Sequence, residues 1–452
     1  MSRVALLPVL LAAPPATGPD SVVAFVDVTV IPMDRERTVP RQTVVIEGDR
    51  IVAIGPADRV SVPAGGVRVD GRGKFLMPGL SEMHAHIPGG QAPDSVVERT
   101  LFLYVSGGIT TIRGMLGHPR HIELRARAAR RELISPTIYT SGPSFNGNSV
   151  ATREVAAAMV AEQKAAGYDF LKIHPGLTRE IFDALASTAQ RVGIRFAGHV
   201  PLAVGLPRAL EMRYASIDHL DGYIEAMVRP GAPVTASESK FFGINLGEHL
   251  DESRLAALVE ATRKAGVWNV PTQTLMENLA PGQTSDDIAR RPELRYIPAA
   301  TVSQWADVKS SLLRETGSSP ESARRTMEMR RKLIKALHAG GAGLLLGSDA
   351  PQIYNVPGFS VHRELESLVA AGLTPYQALE TGTRNVASFF GTSATTGTIE
   401  VGKRADLVLL DANPLTDVRN TTRRAGVMLG GRWLPKSVID ARLDAVAKSL
   451  GN

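Results

Sequence analysis

The 452-residue chain contains no cysteine. Disulfide frameworks, thiolate nucleophiles and cysteine-based metal sites are therefore excluded, and any metal must be held by His, Asp, Glu or Lys. An absence of cysteine also suits a protein exported from the cytoplasm, although it does not require export.

The chain also lacks a block of basic residues and, beyond its first 20 residues, any apolar run long enough to span a bilayer. Its formal net charge is only +6, with acidic and basic residues interspersed. This pattern predicts neither a nucleic-acid partner nor a membrane partner.

Residues 1–20 read "MSRVALLPVLLAAPPATGPD". One positive charge, an apolar stretch and small residues before a cleavage point are the layout of a short secretory signal peptide. A disordered N-terminus is the alternative. Export to the periplasm or the medium would follow from the first interpretation, and a cytoplasmic location from the second.

The two ends of the chain share a strand-rich texture. Residues 21–78 contain "VVAFVDVTVIPMD" and "QTVVIEGDRIVAIGP", and residues 393–452 contain "TGTIEVGKRADLVLLDANP" and "AGVMLGGRWLP". Short β-branched runs separated by Gly-containing turns indicate strands. We expect one small β-sandwich assembled from both ends, followed by a C-terminal helix.

Residues 79–392 instead alternate short apolar runs with helical stretches. After the strand that precedes His84, the runs are "GITTIR", "PTIYTSG", "YDFLKIH", "IRFAGHV", "ASIDHLDG", "VWNVPTQ" and "GLLLGSD". Eight strands separated by helices predict a (β/α)8 barrel, an α/β fold whose chemistry lies at the carboxyl ends of the strands. A doubly wound open sheet is the alternative, but the chain has no Gly-rich phosphate motif to support it. Residues 276–330 are long for a connection and predict either a lid or a passive insertion.

His84 and His86 flank one alanine at the end of the first barrel strand. On a strand, residues two apart face the same way, so both imidazoles would enter one space. Three further polar residues, His199, His219 and Asp349, each end a later apolar run. Because the strand ends meet at one pole of a barrel, these five side chains predict a divalent-metal site.

Lys172 lies within "DFLKIH", where alternation places it on the inward face with Phe170 and His174. A plain ammonium beside two metal cations would be repelled. Burial and nearby cations favour the neutral amine, which reacts with carbon dioxide to give an anionic carbamate able to bridge two metals. A salt-bridged lysine inside the barrel is the alternative.

These motifs together resemble the amidohydrolase superfamily, in particular its imidazolonepropionase-like and prolidase-like branch. The resemblance spans nearly the whole sequence and includes "GKFLMPGLSEMHAHI", "GYDFLKIH", "GHVPLAVGLPRALEMRYASIDHLDGY", "GAGLLLGSDAP" and "GTIEVGKRADLVLLDANPL". It implies two divalent metal ions, for which zinc suits His and carboxylate ligands best. By resemblance, the first metal is held by His84, His86 and Asp349, the second by His199 and His219, and carboxylated Lys172 bridges them.

The reaction that the resemblance implies is hydrolysis of a carbon–nitrogen bond, with amide or peptide substrates. The metals lower the pKa of a bound water towards ~7, and the hydroxide attacks the carbonyl. Asp349 acts as general base and then as general acid. Tyr223 is expected to touch substrate and stabilise the oxyanion, with a core tyrosine as the alternative. His174 is expected to line the pocket unless it is purely structural.

Dipeptides and N-acyl amino acids are the first substrate hypothesis, and amide-linked toxins also suit the branch. A mononuclear enzyme that opens a cyclic amide or deaminates a ring is the second hypothesis, and an esterase or lactonase is a third. A non-catalytic binder conflicts with the complete set of ligands. By resemblance we also expect a homo-oligomer.

Overall fold

A computed structural model describes residues 21–451, so the predicted signal peptide lies outside the described residues. The strands are β1 (Val23–Val30), β2 (Val39–Glu47), β3 (Arg50–Pro56), β4 (Val67–Asp70), β5 (Phe75–Pro78), β6 (Leu80–Ala85), β7 (Ile109–Gly114), β8 (Thr137–Thr140), β9 (Phe170–Ile173), β10 (Arg195–Gly198), β11 (Ser216–Asp218), β12 (Trp268–Val270), β13 (Leu407–Leu410), β14 (Arg424–Leu429) and β15 (Arg432–Pro435).

The α-helices are α1 (Asp94–Ser106), α2 (Arg120–Ala129), α3 (Arg153–Ala165), α4 (Arg179–Val192), α5 (Gly205–Glu211), α6 (Tyr223–Ala226), α7 (Leu255–Ala265), α8 (Gln273–Leu279), α9 (Ser285–Ala289), α10 (Ala299–Thr316), α11 (Pro320–Ala339), α12 (Ser360–Ala370), α13 (Pro375–Thr381), α14 (Arg384–Phe390) and α15 (Lys436–Ser449). Short 3₁₀ helices cover Ala236–Glu238, Gly247–His249, Glu252–Arg254, Pro292–Tyr296 and Val418–Thr422.

Strands from both chain ends join in one eight-stranded sheet, in agreement with their shared texture, and the sandwich form of this domain stays a prediction. Its order is β15-β14-β13-β5-β1-β2-β3, with β4 paired to β1. The two ends join where β13 runs antiparallel to β5, with Val408 opposite Met77. Apolar side chains of both ends pack together on this sheet, and the Phe25 and Trp433 rings meet edge to face at 5.0 Å.

The strands of the middle region are all parallel to their neighbours. They form a three-stranded sheet, β6-β7-β8, and a four-stranded sheet, β9-β10-β11-β12. Isolated parallel bridges lie between the sheets, from Ser141 to Phe170, and link segment 344–350 to β12 at Asn269 and to β6 at Ala85. The carboxyl ends of these segments therefore come together at one end of the α/β unit.

Two helices of the middle region, α4 and α7, end in the same way. Each ends at a glycine in the left-handed conformation, Gly193 (φ 69°) and Gly266 (φ 68°), which caps the last turn without the cost of a β-carbon. The region 276–330 is largely helical and includes α9, α10 and the first half of α11.

The largest apolar core lies between the parallel strands and their surrounding helices. Leu333, Ile334 and Leu337 of α11 and Leu365 and Leu368 of α12 are all fully buried there. Their spacing of three and four residues puts one apolar face of each helix against the strands. Within residues 21–451, the helices do not include one of the length and apolarity needed to cross a membrane.

Candidate metal centre

Three of the predicted ligands meet at the carboxyl end of β6. His84 is the fifth residue of β6, His86 follows the strand, and Asp349 lies in the segment that pairs with it. His86 Nε2 lies 2.6 Å from Asp349 Oδ1, and His84 Nε2 lies 3.6 Å from the same oxygen. Among residues 21–451, this is the one group of three or more His, Cys, Asp or Glu side chains whose ligand atoms all lie within 4.8 Å of one another. Its chemistry suits a divalent cation.

Lys172 reaches the same group from β9. Its side chain is fully buried, and Nζ lies 3.3 Å from His84 Nε2. Burial lowers the pKa of the Lys172 amine, although the carboxylates of Asp218 and Asp349 oppose that shift. The inward direction agrees with strand alternation, and carboxylation of this amine stays a prediction.

His199 and His219 follow the ends of β10 and β11. Their rings lie 4.5 Å apart at an interplanar angle of 27°, and the His219 ring is also 4.5 Å from that of His84. The four predicted imidazoles and Asp349 therefore form one continuous cluster, because the His84 and His86 rings are 5.4 Å apart.

Separate side chains hold the Nδ1 atoms of His199 and His219. His199 Nδ1 lies 2.8 Å from Asp221 Oδ2, and His219 Nδ1 lies 2.8 Å from Thr272 Oγ1. Both contacts leave Nε2 as the nitrogen available to a ligand. His219 Nε2 is buried and has no hydrogen-bond partner in the described part of the chain. A buried polar atom left in this state costs about 1–3 kcal/mol, so the site calls for a further partner at this nitrogen.

A buried ion pair holds His84 from the opposite side. His84 Nδ1 lies 2.9 Å from Asp218 Oδ2, and Arg113 Nη2 donates to Asp218 Oδ1 at 3.1 Å. The Ser216 hydroxyl also donates to Asp218, at 2.7 Å. His84 Nδ1 makes no hydrogen bond within the described residues, so its contact with Asp218 is one of proximity and charge. The ring turns its other nitrogen, Nε2, towards Lys172 and Asp349, which is the side that a metal would use.

The backbone is strained where it carries the cluster. Three non-glycine residues there have left-handed conformations, His219 (φ 63°), Thr272 (φ 45°) and Asp349 (φ 65°). Such residues each cost about 1–3 kcal/mol and persist only where their surroundings fix them. Arg330, fully buried, supplies part of that support by donating to the carbonyls of His219 (2.7 Å) and Pro271 (2.9 Å).

Glu82 connects β6 with the segment that carries Asp349. Its carboxylate accepts hydrogen bonds from the backbone nitrogen and the hydroxyl of Ser348, both at 2.6 Å. Burial raises the pKa of Glu82 to about 8 in spite of these bonds. Because Ser348 immediately precedes Asp349, these bonds fix the segment that supplies the carboxylate ligand.

Burial disfavours the charged form of His84, His199 and His219. Burial lowers the pKa of His84 and of His219 well below the usual range, and the pKa of His199 to about 3, with the nearby Lys172 amine acting in the same direction. Neutral imidazole is the form that binds a metal. The electrostatics and the ligand chemistry therefore agree.

The two predicted substrate contacts differ in position. The His174 ring lies 5.0 Å from the His199 ring and is partly exposed, so it borders the cluster, and its role in binding stays a prediction. The Tyr223 side chain is fully buried in the main apolar core, and its hydroxyl lies 2.8 Å from Thr262 Oγ1 on α7. This placement favours the core tyrosine that the sequence left open as the alternative.

Several residues around the cluster are not among the sequence predictions. They are Arg113, Asp218, Asp221, Thr272 and Phe242. Asp218 and Asp221 flank His219 in "IDHLD", so their proximity to a predicted ligand was a usable signal. The sequence gives no comparable indication for Phe242, because this residue lies more than 20 positions after His219 and reaches the histidines only through a loop.

Residues 75–434 match the family model described as "Amidohydrolase family". The chain belongs to the amidohydrolase family. The resemblance read from the sequence is thereby confirmed, and the family implies a TIM-barrel-like α/β fold and hydrolysis of carbon–nitrogen bonds. The three ligand-type side chains at the end of β6 agree with a metal-dependent member of this family.

Similar proteins include a deaminase and two hydrolases. A 5-methylthioadenosine/S-adenosylhomocysteine deaminase of Symbiobacterium thermophilum is 26% identical over 423 residues, which cover 85% of this chain and 84% of the deaminase. A protein assigned as a prolidase, from Bifidobacterium longum, superposes with a TM-score of 0.69 at 24% identity, covering 95% of this chain and all of that one. A bottromycin amidohydrolase gives 0.69 at 22% identity, covering 97% and 92%. At these identities the two structures establish a shared fold.

Proposed function

We propose that this protein is a hydrolase with two divalent metal ions that cleaves the amide or peptide bond of N-acyl amino acids or dipeptides. The unpartnered Nε2 of buried His219, aimed away from Thr272 and beside His84 and His199, is the observation that carries the proposal. A three-ligand site at His84, His86 and Asp349 alone would leave that nitrogen without a partner.

The residues present fit two cations. His84, His86 and Asp349 would hold the first, His199 and His219 the second, and Lys172, carboxylated on its neutral amine, would lie between them. Zinc suits these ligands best. The site would lie at the mouth of a closed eight-segment barrel spanning 79–392, with 21–78 and 393–452 forming the terminal β domain and 276–330 covering the opening.

Bound cations would supply an activated water and polarise the scissile carbonyl. The protein's own groups do the rest. Asp349 takes the proton of the attacking water on its carboxylate and delivers it to the leaving nitrogen. The Asp221 hydrogen bond keeps the His199 ring in one orientation, and the Asp218 carboxylate lies beside His84 Nδ1, so little side-chain reorganisation is needed during the reaction.

A mononuclear deaminase or cyclic-amide hydrolase is the second candidate. Two observations favour it: the curated relative is a deaminase, and the described residues bring only His84, His86 and Asp349 within 4.8 Å of one another. In that enzyme Lys172 would remain an amine and the His219 nitrogen would contact substrate or water.

Counting metals separates the two candidates. Purified protein loaded with zinc in ¹³C-bicarbonate should bind two equivalents per chain and show a carbamate carbon resonance. Lys172→Ala should lose the resonance and at least one equivalent of zinc, whereas Lys164→Ala, a change at a surface lysine of α3, should lose neither. If the unaltered chain binds one equivalent of zinc and shows no carbamate resonance, the two-metal proposal is wrong.

A substrate panel then tests the bond that is cleaved. N-acyl amino acids and dipeptides should release a free amino acid. Release of ammonia from a purine nucleoside would instead support the deaminase, and faster cleavage of a matched ester or lactone would support an esterase. Size-exclusion chromatography with light scattering tests the expected homo-oligomer.

A further inference from the structure

An aromatic side chain from a distant loop lies against the histidines proposed for the second metal. The Phe242 ring is 5.2 Å from the His219 ring and 6.0 Å from the His199 ring, to which it is inclined by only 25°. Phe242 is partly exposed, so the protein does not close off its side chain completely. The ring is therefore available to a molecule bound there.

The backbone conformation at Phe242 is costly and is held in place. Phe241 (φ 33°), Phe242 (φ 56°) and Gly243 (φ 75°) are three consecutive left-handed residues. A side chain at Gly243 would also meet Ile224, because an added β-carbon would lie 2.4 Å from it. Strain of this kind marks a functional segment when the surroundings enforce it.

Hydroxyl groups around α11 enforce this conformation. Thr326 donates to the Gly243 carbonyl at 3.2 Å, and Ser322 and Ser318 donate to the Ile244 carbonyl at 3.0 and 2.8 Å. These hydrogen bonds hold the carbonyls of the two residues that follow Phe242. The position of the Phe242 ring therefore depends on α11 and the residues just before it, and not on the loop alone.

Apolar groups surround the ring on its protein side. Phe241 meets Phe242 edge to face at 4.6 Å, and both pack against Met276, Ala280 and Met327. A partly exposed aromatic ring on an apolar bed beside a cluster of polar groups has the composition of a ligand pocket.

We propose that Phe242 is the specificity-determining residue of the site and that it selects substrates with a large apolar or aromatic side chain. This inference rests on the proposed function. The substrate side chain packs on the partly exposed Phe242 ring beside His199 and His219, where a charged side chain would lose hydration without gaining a partner.

The test compares Phe242→Ala with Phe242→Leu and with Phe390→Leu. Phe390 is a partly buried phenylalanine at the end of α14 that stacks on Tyr139, and it serves as the matched control. For each zinc-loaded protein, kcat/KM is measured for N-acetyl-L-phenylalanine and N-acetyl-L-aspartate. Binding of the N-methylphosphonyl derivatives of the same amino acids is measured by calorimetry, which needs no turnover, and zinc content is recorded.

The native chain should prefer the phenylalanine compounds, and Phe242→Ala should reduce that preference about tenfold or more, as expected for loss of one apolar pocket wall. Phe242→Leu should retain most of it, and Phe390→Leu all of it. Equal binding of the two phosphonates by the native chain, or an unchanged preference in Phe242→Ala with full zinc content, overturns the inference. An aromatic preference in binding without hydrolysis of either amide supports the inference and overturns the proposed function instead.

Discussion

Two buried histidines in different parts of the molecule use their ring nitrogens differently. His362 on α12 has both occupied, with Nδ1 at 2.8 Å from Thr421 Oγ1 and Nε2 at 2.9 Å from the Gly107 carbonyl. His219 has only Thr272 as a partner, and its Nε2 has none among the described residues. Burial lowers the pKa of both, so the direction of the pKa shift does not distinguish them. The unused nitrogen does.

The same contrast extends to the backbone. His219 and Asp349, both proposed as ligands, have positive φ, whereas His362 lies within a regular helix. A region that serves only to pack satisfies its polar groups and avoids strain, and a functional site departs from both rules at a cost in stability. Experiments that remove groups from each region should therefore give different kinds of loss.

The largest effect is expected on turnover. Asp349→Asn keeps the size of the side chain but removes the group that carries the proton, so kcat should fall on the order of 10³-fold or more. His362→Gln, which alters the fully hydrogen-bonded histidine, should leave kcat within about twofold once folding is verified. The measurement is steady-state hydrolysis of the best N-acyl amino acid. Comparable turnover in Asp349→Asn would remove Asp349 from the proposed chemistry.

The second largest effect is expected on the free energy of unfolding, when the buried ion pair beside His84 is broken. Arg113→Met leaves the buried Asp218 carboxylate without its cation, which should lower the free energy of unfolding by about 4 kcal/mol. Arg125→Met breaks a partly exposed pair with Asp169, at 2.8 Å, and should cost about 1 kcal/mol or less. Urea unfolding at pH 7 measures both, and similar losses would mean that the Arg113 pair has no special part in supporting His84.

The sequence could predict that the proposed ligands lie together, because their proximity depends on strand geometry. Side chains two apart on a strand face the same way, and parallel strands bring their carboxyl ends together, so alternation around Lys172 and the two histidines of β6 indicated one shared space. The family resemblance assigned the ligands to two metals, which geometry alone did not. The strands of both chain ends were likewise readable from β-branched runs, although their single-sheet order was not.

Residues beyond the strand ends were not predictable in the same way. After His219 the chain turns through Leu220 and Gly222, both left-handed, so strand alternation stops and Tyr223 points into the core instead of at the cluster. Phe242 reaches the histidines only because hydroxyls near α11 fix its loop. Contacts made between distant segments leave no periodic trace in the sequence.

A smaller effect is expected in the pH dependence of stability that buried His362 causes. Burial lowers the pKa of His362 to about 4 from the ordinary 6.5, so between these values the unfolded chain binds a proton that the folded chain does not. Stability is therefore lost as the pH falls from 6.5 towards 4. His362→Gln should be less stable than the native chain at pH 7, and that gap should narrow by about 2 kcal/mol at pH 4.5 in metal-free urea titrations. A constant gap would contradict the assignment of a neutral, buried imidazole.

The smallest effect concerns metal affinity and tests whether the outer partners matter. Asp221→Asn keeps an oxygen near His199 Nδ1 but removes an ionisable carboxyl group, whose pKa burial raises to about 8. Measured at a pH above that value, where the carboxylate is charged, zinc affinity should fall about tenfold while kcat at saturating zinc changes little. Asp183→Asn, in a carboxylate that accepts from Arg208 at 2.9 Å on the helical surface, is the matched control and should leave zinc affinity unchanged. Competition with a fluorescent chelator gives both affinities. If the zinc affinity of Asp221→Asn is unaltered, His199 is oriented by packing against the His219 and Phe242 rings alone. The contrast with His362 would then rest only on the unpartnered Nε2 of His219, and not on the Asp221 carboxylate beside His199.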